Sequence, residues 1–256
     1  MTRPDGSVSR TVAIVTGGSR GIGRAIVRRL ARRGHVVLFT FTSDDGGAAD
    51  VVRTVTEEGG VAVASRCDIT DADAPARLAD AVDELGELTI LVNNAGITGP
   101  IGPLTTASDE TLARVLDVNL VATMRLSREV VARWEQRAPR DDRSIVNVSS
   151  IAARTGSPGE YVWYAASKAG VEAFTVGLAR ETAALGVRVN AVSPGTTDTS
   201  IHARAGRPDR AAEVGARTPL GRAGSPDEIA AGVEWLITTD AAYVTGTILD
   251  VAGGLR

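Results

Sequence analysis

Cysteine, histidine, lysine and aromatic residues are all scarce in this chain of 256 residues, and each shortage excludes something. A single cysteine, Cys67, cannot form an internal disulfide, which excludes a disulfide-stapled secreted scaffold. His35 and His202 are the only histidines, and with one cysteine they cannot assemble a metal cluster, so no metal is expected. No stretch approaches the roughly eighteen apolar residues that a membrane-spanning helix needs. Met1 to Arg10 is polar, carries Pro4 and Gly6, and lacks the apolar core of a signal peptide. The 28 basic and 31 acidic side chains leave a net charge of −3 without long runs of one sign, so neither nucleic acid nor a membrane is an expected partner. A soluble, cytoplasmic protein is expected, and with 43% hydrophobic residues it can bury a full core.

The lysine shortage points to a position. Of the 28 basic residues 27 are arginines, and Lys168 alone is lysine. A mutational bias toward arginine codons accounts for the trend but not for the exception. A lysine that survives such a bias marks a place where a compact ammonium is needed and a guanidinium does not serve.

Short β-branched runs alternate with stretches of helical apolar spacing. The predicted strands are 11–16, 36–40, 61–67, 89–92, 144–149, 187–192 and 247–251. The first, fourth and fifth are apolar on successive residues, as in parallel strands covered on both faces. Ile22, Ile26 and Leu30 form one helical stripe, and Leu112, Val115, Leu116 and Leu120 another. Ser225 and Pro226 mark a capped helix start. Trp134, Trp163 and Trp235 read as packing anchors, with Trp163 also placed to form a pocket wall or a subunit contact. The pattern predicts an α/β fold: a single-domain, doubly wound, seven-stranded parallel sheet with helices on both faces, spanning 1–256. Residues 1–9 are expected to form a flexible N-terminus. The irregular run 194–222 forms either a substrate lid or an ordinary surface excursion.

Directly after the first strand stands Thr16-Gly17-Gly18-Ser19-Arg20-Gly21-Ile22-Gly23, ahead of the first helical stripe. Strand, glycine-rich turn and helix in that order suit a pyrophosphate, because glycines admit the backbone closely and helix N–H groups face the charge. The second strand ends Thr40-Phe41-Thr42-Ser43 with no carboxylate before Asp44. An NAD site usually presents an acid there. Arg20, Thr42 and Ser43 instead suit a 2′-phosphate, so NADP is favoured over NAD.

Tyr164 and Lys168, four residues apart, share one helix face. A cation beside a phenol stabilises the phenolate and brings proton transfer within reach of neutral pH. Tyr161 has no such partner, since Ala165 stands four residues on. Ser149 and Ser150 end the buried strand 144–149, where open α/β sheets bind ligands, and Asn93-Asn94-Ala95-Gly96 ends another.

Together the Thr-Gly-x-x-x-Gly-x-Gly loop, Asn93–Gly96, the Tyr164/Lys168 pair and Pro194-Gly195 resemble the short-chain dehydrogenase/reductase family over essentially the whole chain. The resemblance implies hydride transfer between a nicotinamide and a carbonyl or alcohol. It implies Tyr164 as general acid/base, Lys168 lowering its pKa and holding the nicotinamide ribose, Ser150 bonding the substrate oxygen, and Asn119 completing a proton relay through water. Gly17, Ser19, Arg20, Gly21, Ile22 and Gly23 would hold the dinucleotide with Thr40, Thr42 and Ser43. Asp68 and Ile69 would meet the adenine, and Asn94, Ala95, Gly96, Pro194, Gly195, Thr197 and Thr199 would line the cofactor. The spacing usual in relatives falls on Ile151, which has no hydroxyl. Ser150 stands six residues before Gly156, as in relatives, leaving one inserted residue in 156–163. The 156–162 stretch and Ile201-His202-Ala203 resemble a bacterial subgroup labelled sugar dehydrogenases or acyl-carrier ketoreductases. Relatives are commonly homotetramers, and the resemblance places a long helix around 107–137. A non-catalytic nucleotide-binding sensor would carry a broken tetrad, and an epimerase-type fold would need a further C-terminal domain.

Overall fold

The strands that read as apolar on successive residues lie in the middle of one sheet. The structure, a computed structural model, describes residues 10–199, 206, 207 and 209–255. The expected flexible segment 1–9, His202 and part of the 194–222 run lie outside the described residues. Seven strands are present: β1 (Thr11–Val15), β2 (Val36–Phe41), β3 (Val61–Arg66), β4 (Glu87–Asn93), β5 (Ser144–Val148), β6 (Arg188–Pro194) and β7 (Ile248–Val251). They pair in parallel in the order β3-β2-β1-β4-β5-β6-β7. Strands β5 and β6 are buried at every residue, whereas edge strands β3 and β7 alternate or stay half-exposed. A central strand covered by helices on both faces gains nothing from alternation.

Successive residues of β1 feed opposite cores. Ala13 and Val15 pack with α1 (Gly21–Arg32), α2 (Asp45–Glu57) and α9 (Pro226–Ile237). Val12 and Ile14 pack with α3 (Ala74–Leu85), α5 (Ala122–Glu135) and α7 (Val162–Thr182). Trp134 is fully buried and donates through its indole N–H to Leu88 O at 2.9 Å, an anchor whose truncation to Ala costs about 3–5 kcal/mol. Trp235 is not an anchor: it is 40% exposed on α9. Ser225 caps α9 with a reciprocal Glu228 bond, as the Ser-Pro start predicts.

The expected long helix over 107–137 is interrupted. Helix α4 (Asp109–Leu116) passes through a π-helical turn (Asp117–Val121) into α5. The extra residue in that turn rotates the face, so Val118 and Asn119 point inward while Leu116, read as part of the apolar stripe, is 40% exposed. Among the described residues the remaining α-helices are α6 (Ala152–Thr155) and α8 (Arg210–Gly215). After β3 the chain returns to β4 beside β1, and this reversal opens a crevice at the carboxyl ends of β1 and β4.

Candidate active site

A cleft of about 530 Å³ lies over that crevice. Its floor is the turn after β1. Thr16 Oγ1 accepts bonds from the N–H groups of Asn94 and Ala95, both at 3.0 Å, and Asn94 Nδ2 donates to Thr16 O at 2.9 Å and Gly17 O at 3.1 Å. Gly17 N donates to Thr40 Oγ1 at 3.1 Å. The loop is therefore clamped from both neighbouring strands. Its glycines answer to space: a Cβ on Gly23 would stand 2.1 Å from Gly17 O, and one on Gly18 2.6 Å from Phe39. Arg20 precedes α1 in an extended conformation, no side chain caps the helix, and no acid stands in its first turn. This is the environment of an anion, as a dinucleotide pyrophosphate would supply.

At one end, Arg20 and Thr42 line the cleft, and Arg20 stands 4.0 Å from Asp44, which caps α2. Ser43 does not line it. Thr40, Phe41 and Thr42 line the cleft in succession, and the bend after β2 leaves Ser43 exposed outside it. Nearby, Asp68 accepts from Thr70 N at 3.0 Å and from Arg114 Nη2 at 2.8 Å. Burial pushes its carboxyl up, but the Thr70 and Arg114 bonds outweigh this and hold it below the ordinary value.

The middle of the cleft carries Tyr164 and Lys168, both buried on α7. Ser150 hydrogen-bonds the phenol, whereas Ser149 donates to Glu172 Oε1 at 2.9 Å, away from the cleft. Lys168 Nζ donates to Val148 O at 2.7 Å and lies 5.8 Å from the Tyr164 ring centroid. Burial alone lowers the ammonium to about 8. Burial pushes Tyr164 up to about 12, and the bond from Ser150 is what opposes it. The physical reason is desolvation, which penalises phenolate and ammonium alike.

Asn119 stands behind the cleft. Its Oδ1 accepts from Ile97 N at 2.8 Å, and its Nδ2 donates to Ile97 O and Ser167 Oγ, both at 2.9 Å. Both side-chain donors are thus engaged, and the residue braces the β4 end against α7. Asn93, one residue before Asn94, points into the core and donates to Asn147 Oδ1 at 2.9 Å and Ser127 Oγ at 3.0 Å.

Every residue singled out in the sequence for catalysis or cofactor binding lines this cleft except Ser43 and Asn119. Thr199 lies against Gly21, and Gly195 packs on Ala252 where a Cβ would be 2.7 Å from its Cα. Sequence reading passed over Arg114, Tyr161, Glu160 and Arg210, which also line it. Tyr161 meets Tyr164 edge-on, with ring centroids 5.3 Å apart at 86°. Trp163 is buried and donates to Thr98 O at 2.8 Å, pinning the loop after β4 without itself lining the cleft. Among the described residues no group of His, Cys, Asp and Glu could hold a metal ion.

Residues 17–256 match the sequence profile of the family described as Enoyl-(Acyl carrier protein) reductase. A solved short chain dehydrogenase from Burkholderia cenocepacia J2315, in complex with NADP, superposes with a TM-score of 0.85 at 34% identity, covering 95% of this chain and 96% of that one. The chain belongs to the short-chain dehydrogenase/reductase family. This short-chain dehydrogenase/reductase is 41% identical over 244 residues to the uncharacterized oxidoreductase YgfF of Escherichia coli (strain K12), across 95% of this chain and 99% of that one. It is also 41% identical over 247 residues to the 3-oxoacyl-[acyl-carrier-protein] reductase FabG of Vibrio harveyi, across 95% and 96% of the two chains.

Proposed function

We propose that this short-chain dehydrogenase/reductase is an NADP(H)-dependent ketoreductase that interconverts a carbonyl and a secondary alcohol, with Tyr164 as general acid/base. The observation that carries the reading is the grouping of Tyr164, Ser150 and Lys168 in the cleft that the glycine-rich turn floors. The bound dinucleotide supplies or accepts the hydride. Gly17 to Gly23 hold its pyrophosphate, Arg20 and Thr42 its 2′-phosphate, Asp68 and Ile69 its adenine, and Lys168 its nicotinamide ribose. Ser150 and Tyr164 together hold the substrate oxygen. In the reducing direction the Tyr164 phenol donates its proton to that oxygen as the carbonyl carbon gains hydride, and the Lys168 ammonium stabilises the phenolate left behind. Asn119 is a positioning residue that keeps Ile97 and Ser167 in place. The NADP-bound structure from Burkholderia supports the cofactor, and the similarity to the 3-oxoacyl-[acyl-carrier-protein] reductase of Vibrio harveyi supports the ketone chemistry.

The test is a parallel titration with NADPH and NADH, followed by nicotinamide fluorescence, then NADPH oxidation against ketones, ketoacyl thioesters and aldoses. Tighter NADPH binding with turnover of a panel member is expected. Tyr164→Phe should lower turnover by roughly 10²–10⁴-fold while NADPH affinity stays nearly unchanged. Equal turnover by the two proteins, or none by the unaltered chain, would sink the assignment.

A further inference from the structure

The substrate side of the cleft holds an ion pair that the proposed chemistry does not use. Arg210 opens α8 with only 10% of its side chain exposed. Its Nε donates to Glu160 Oε1 at 3.2 Å, and its Nη2 donates to Glu160 Oε2. The same guanidinium lies 5.5 Å from the centroid of the Tyr161 ring, whose edge meets Tyr164. The Glu160 carbonyl accepts from Gly102 N at 2.7 Å. Three segments far apart in sequence therefore converge on Glu160: the loop after β4, the loop before α7, and α8.

The loop that carries Glu160 needs this support. Gly156, Ser157 and Gly159 take φ values of +72°, +43° and +75°, and Ser157 is the only non-glycine with positive φ among the described residues. A non-glycine residue there costs about 1–3 kcal/mol and persists where its surroundings over-determine it. The surroundings here are Gly102 and Arg210, both outside the loop. An anion-binding role for Arg210 fits less well, because its Nε and Nη2 already engage both Glu160 oxygens. A bridge that only adds stability fits less well too, because the guanidinium is buried and also touches the ring that borders Tyr164.

We propose that Glu160 and Arg210 are a positioning pair that fixes the substrate-side wall and holds Tyr161 edge-on against Tyr164, thereby setting substrate placement without affecting dinucleotide binding. The proposal rests on the Tyr164 chemistry given above. Its test compares Glu160→Gln, Arg210→Met and the double variant in the full chain. The measurements are NADPH affinity, kcat and KM with a carbonyl the unaltered enzyme turns over, and hydrogen exchange at 100–106, 156–163 and 17–23. Each single variant should lose about tenfold or more in kcat/KM, and the double variant no more than the worse single, because one pair is removed either way. NADPH affinity and exchange at 17–23 should hold, while exchange at 100–106 and 156–163 should accelerate. Should Arg210→Met fail to fold, Glu160→Gln beside a partly rescuing Glu160→Asp carries the test. Unchanged kcat/KM in Glu160→Gln, multiplying losses in the double variant, or NADPH affinity falling in step with kcat/KM would each overturn the pair alone. An unaltered chain that turns over no carbonyl would instead overturn the oxidoreductase reading, and the pair's part in the reaction with it.

Discussion

Lys168 is held closely on the side of Val148 and Gly96. It is 4% exposed, its Nζ bonds Val148 O, and a Cβ on Gly96 would stand only 3.3 Å from that nitrogen. Lys168→Arg should therefore lose on the order of 10²-fold or more in turnover, measured beside NADPH affinity, and full activity would refute the steric account. The buried ammonium also sets a pH dependence of stability. Its pKa falls from 10.5 to about 8 on folding, so the folded chain binds fewer protons in that window. Below about 8 the whole cost of burying the charge is present, and stability rises as pH climbs toward 10.5. Tyr164, raised from 10.0 to about 12, acts oppositely, and its contribution is lost as pH rises from 10 to 12. Urea melts of the cofactor-free chain should show Lys168→Met more stable than the unaltered protein at pH 7, at about 1.4 kcal/mol per unit of displacement, with the gap closing by pH 10. A gap independent of pH would contradict this. Lys168 was legible in sequence because composition isolated it. Tyr161 was not, because spacing alone set it aside for lack of a lysine, and an edge-on ring contact leaves no mark in sequence.

At the scale of elements, the glycine-rich turn is a local object whose geometry follows from its own residues. Gly23→Ala would drive a methyl onto Gly17 O, 2.1 Å from its ideal position, so the turn must open. The expected outcome is a stability loss of about 1–3 kcal/mol in a thermal melt together with NADPH affinity reduced about tenfold or more. A variant with unaltered affinity would show that the turn does not hold the dinucleotide. The seven strands were legible within one or two residues at most ends, the central ones because burial on both faces writes itself as consecutive apolar residues and the edge ones because they are short β-branched runs. The π-helical turn at Asp117–Val121 was not legible. Periodicity extends a helix straight through it, and what favours the extra residue is the network that Asn119 makes with Ile97 and Ser167, contacts 22 and 48 residues away.

For the whole molecule, the displaced face of that helix has a consequence. Leu116, Val121 and Met124 are 40%, 41% and 43% exposed along α4, the π-turn and α5. We propose that this face pairs with a second copy of the chain and that the working form is a homotetramer. Light scattering after size-exclusion chromatography should give four times the chain mass, and Val121→Asp with Met124→Asp should reduce it; a monomer for the unaltered chain would refute the proposal. Among the described residues no helix is long and apolar enough to cross a membrane. The sequence by itself determined the parallel sheet, the glycine-rich turn and the placing of Tyr164 and Lys168 on one helix face, because each rests on residues near one another in the chain and on the period of burial. Only the tertiary structure decided which neighbours complete the site. Arg114 on Asp68, Arg210 on Glu160, the outward turn of Ser43 and the upward displacement of the Tyr164 phenol all come from groups brought together by folding, or from water removed by it, and neither is written in local sequence.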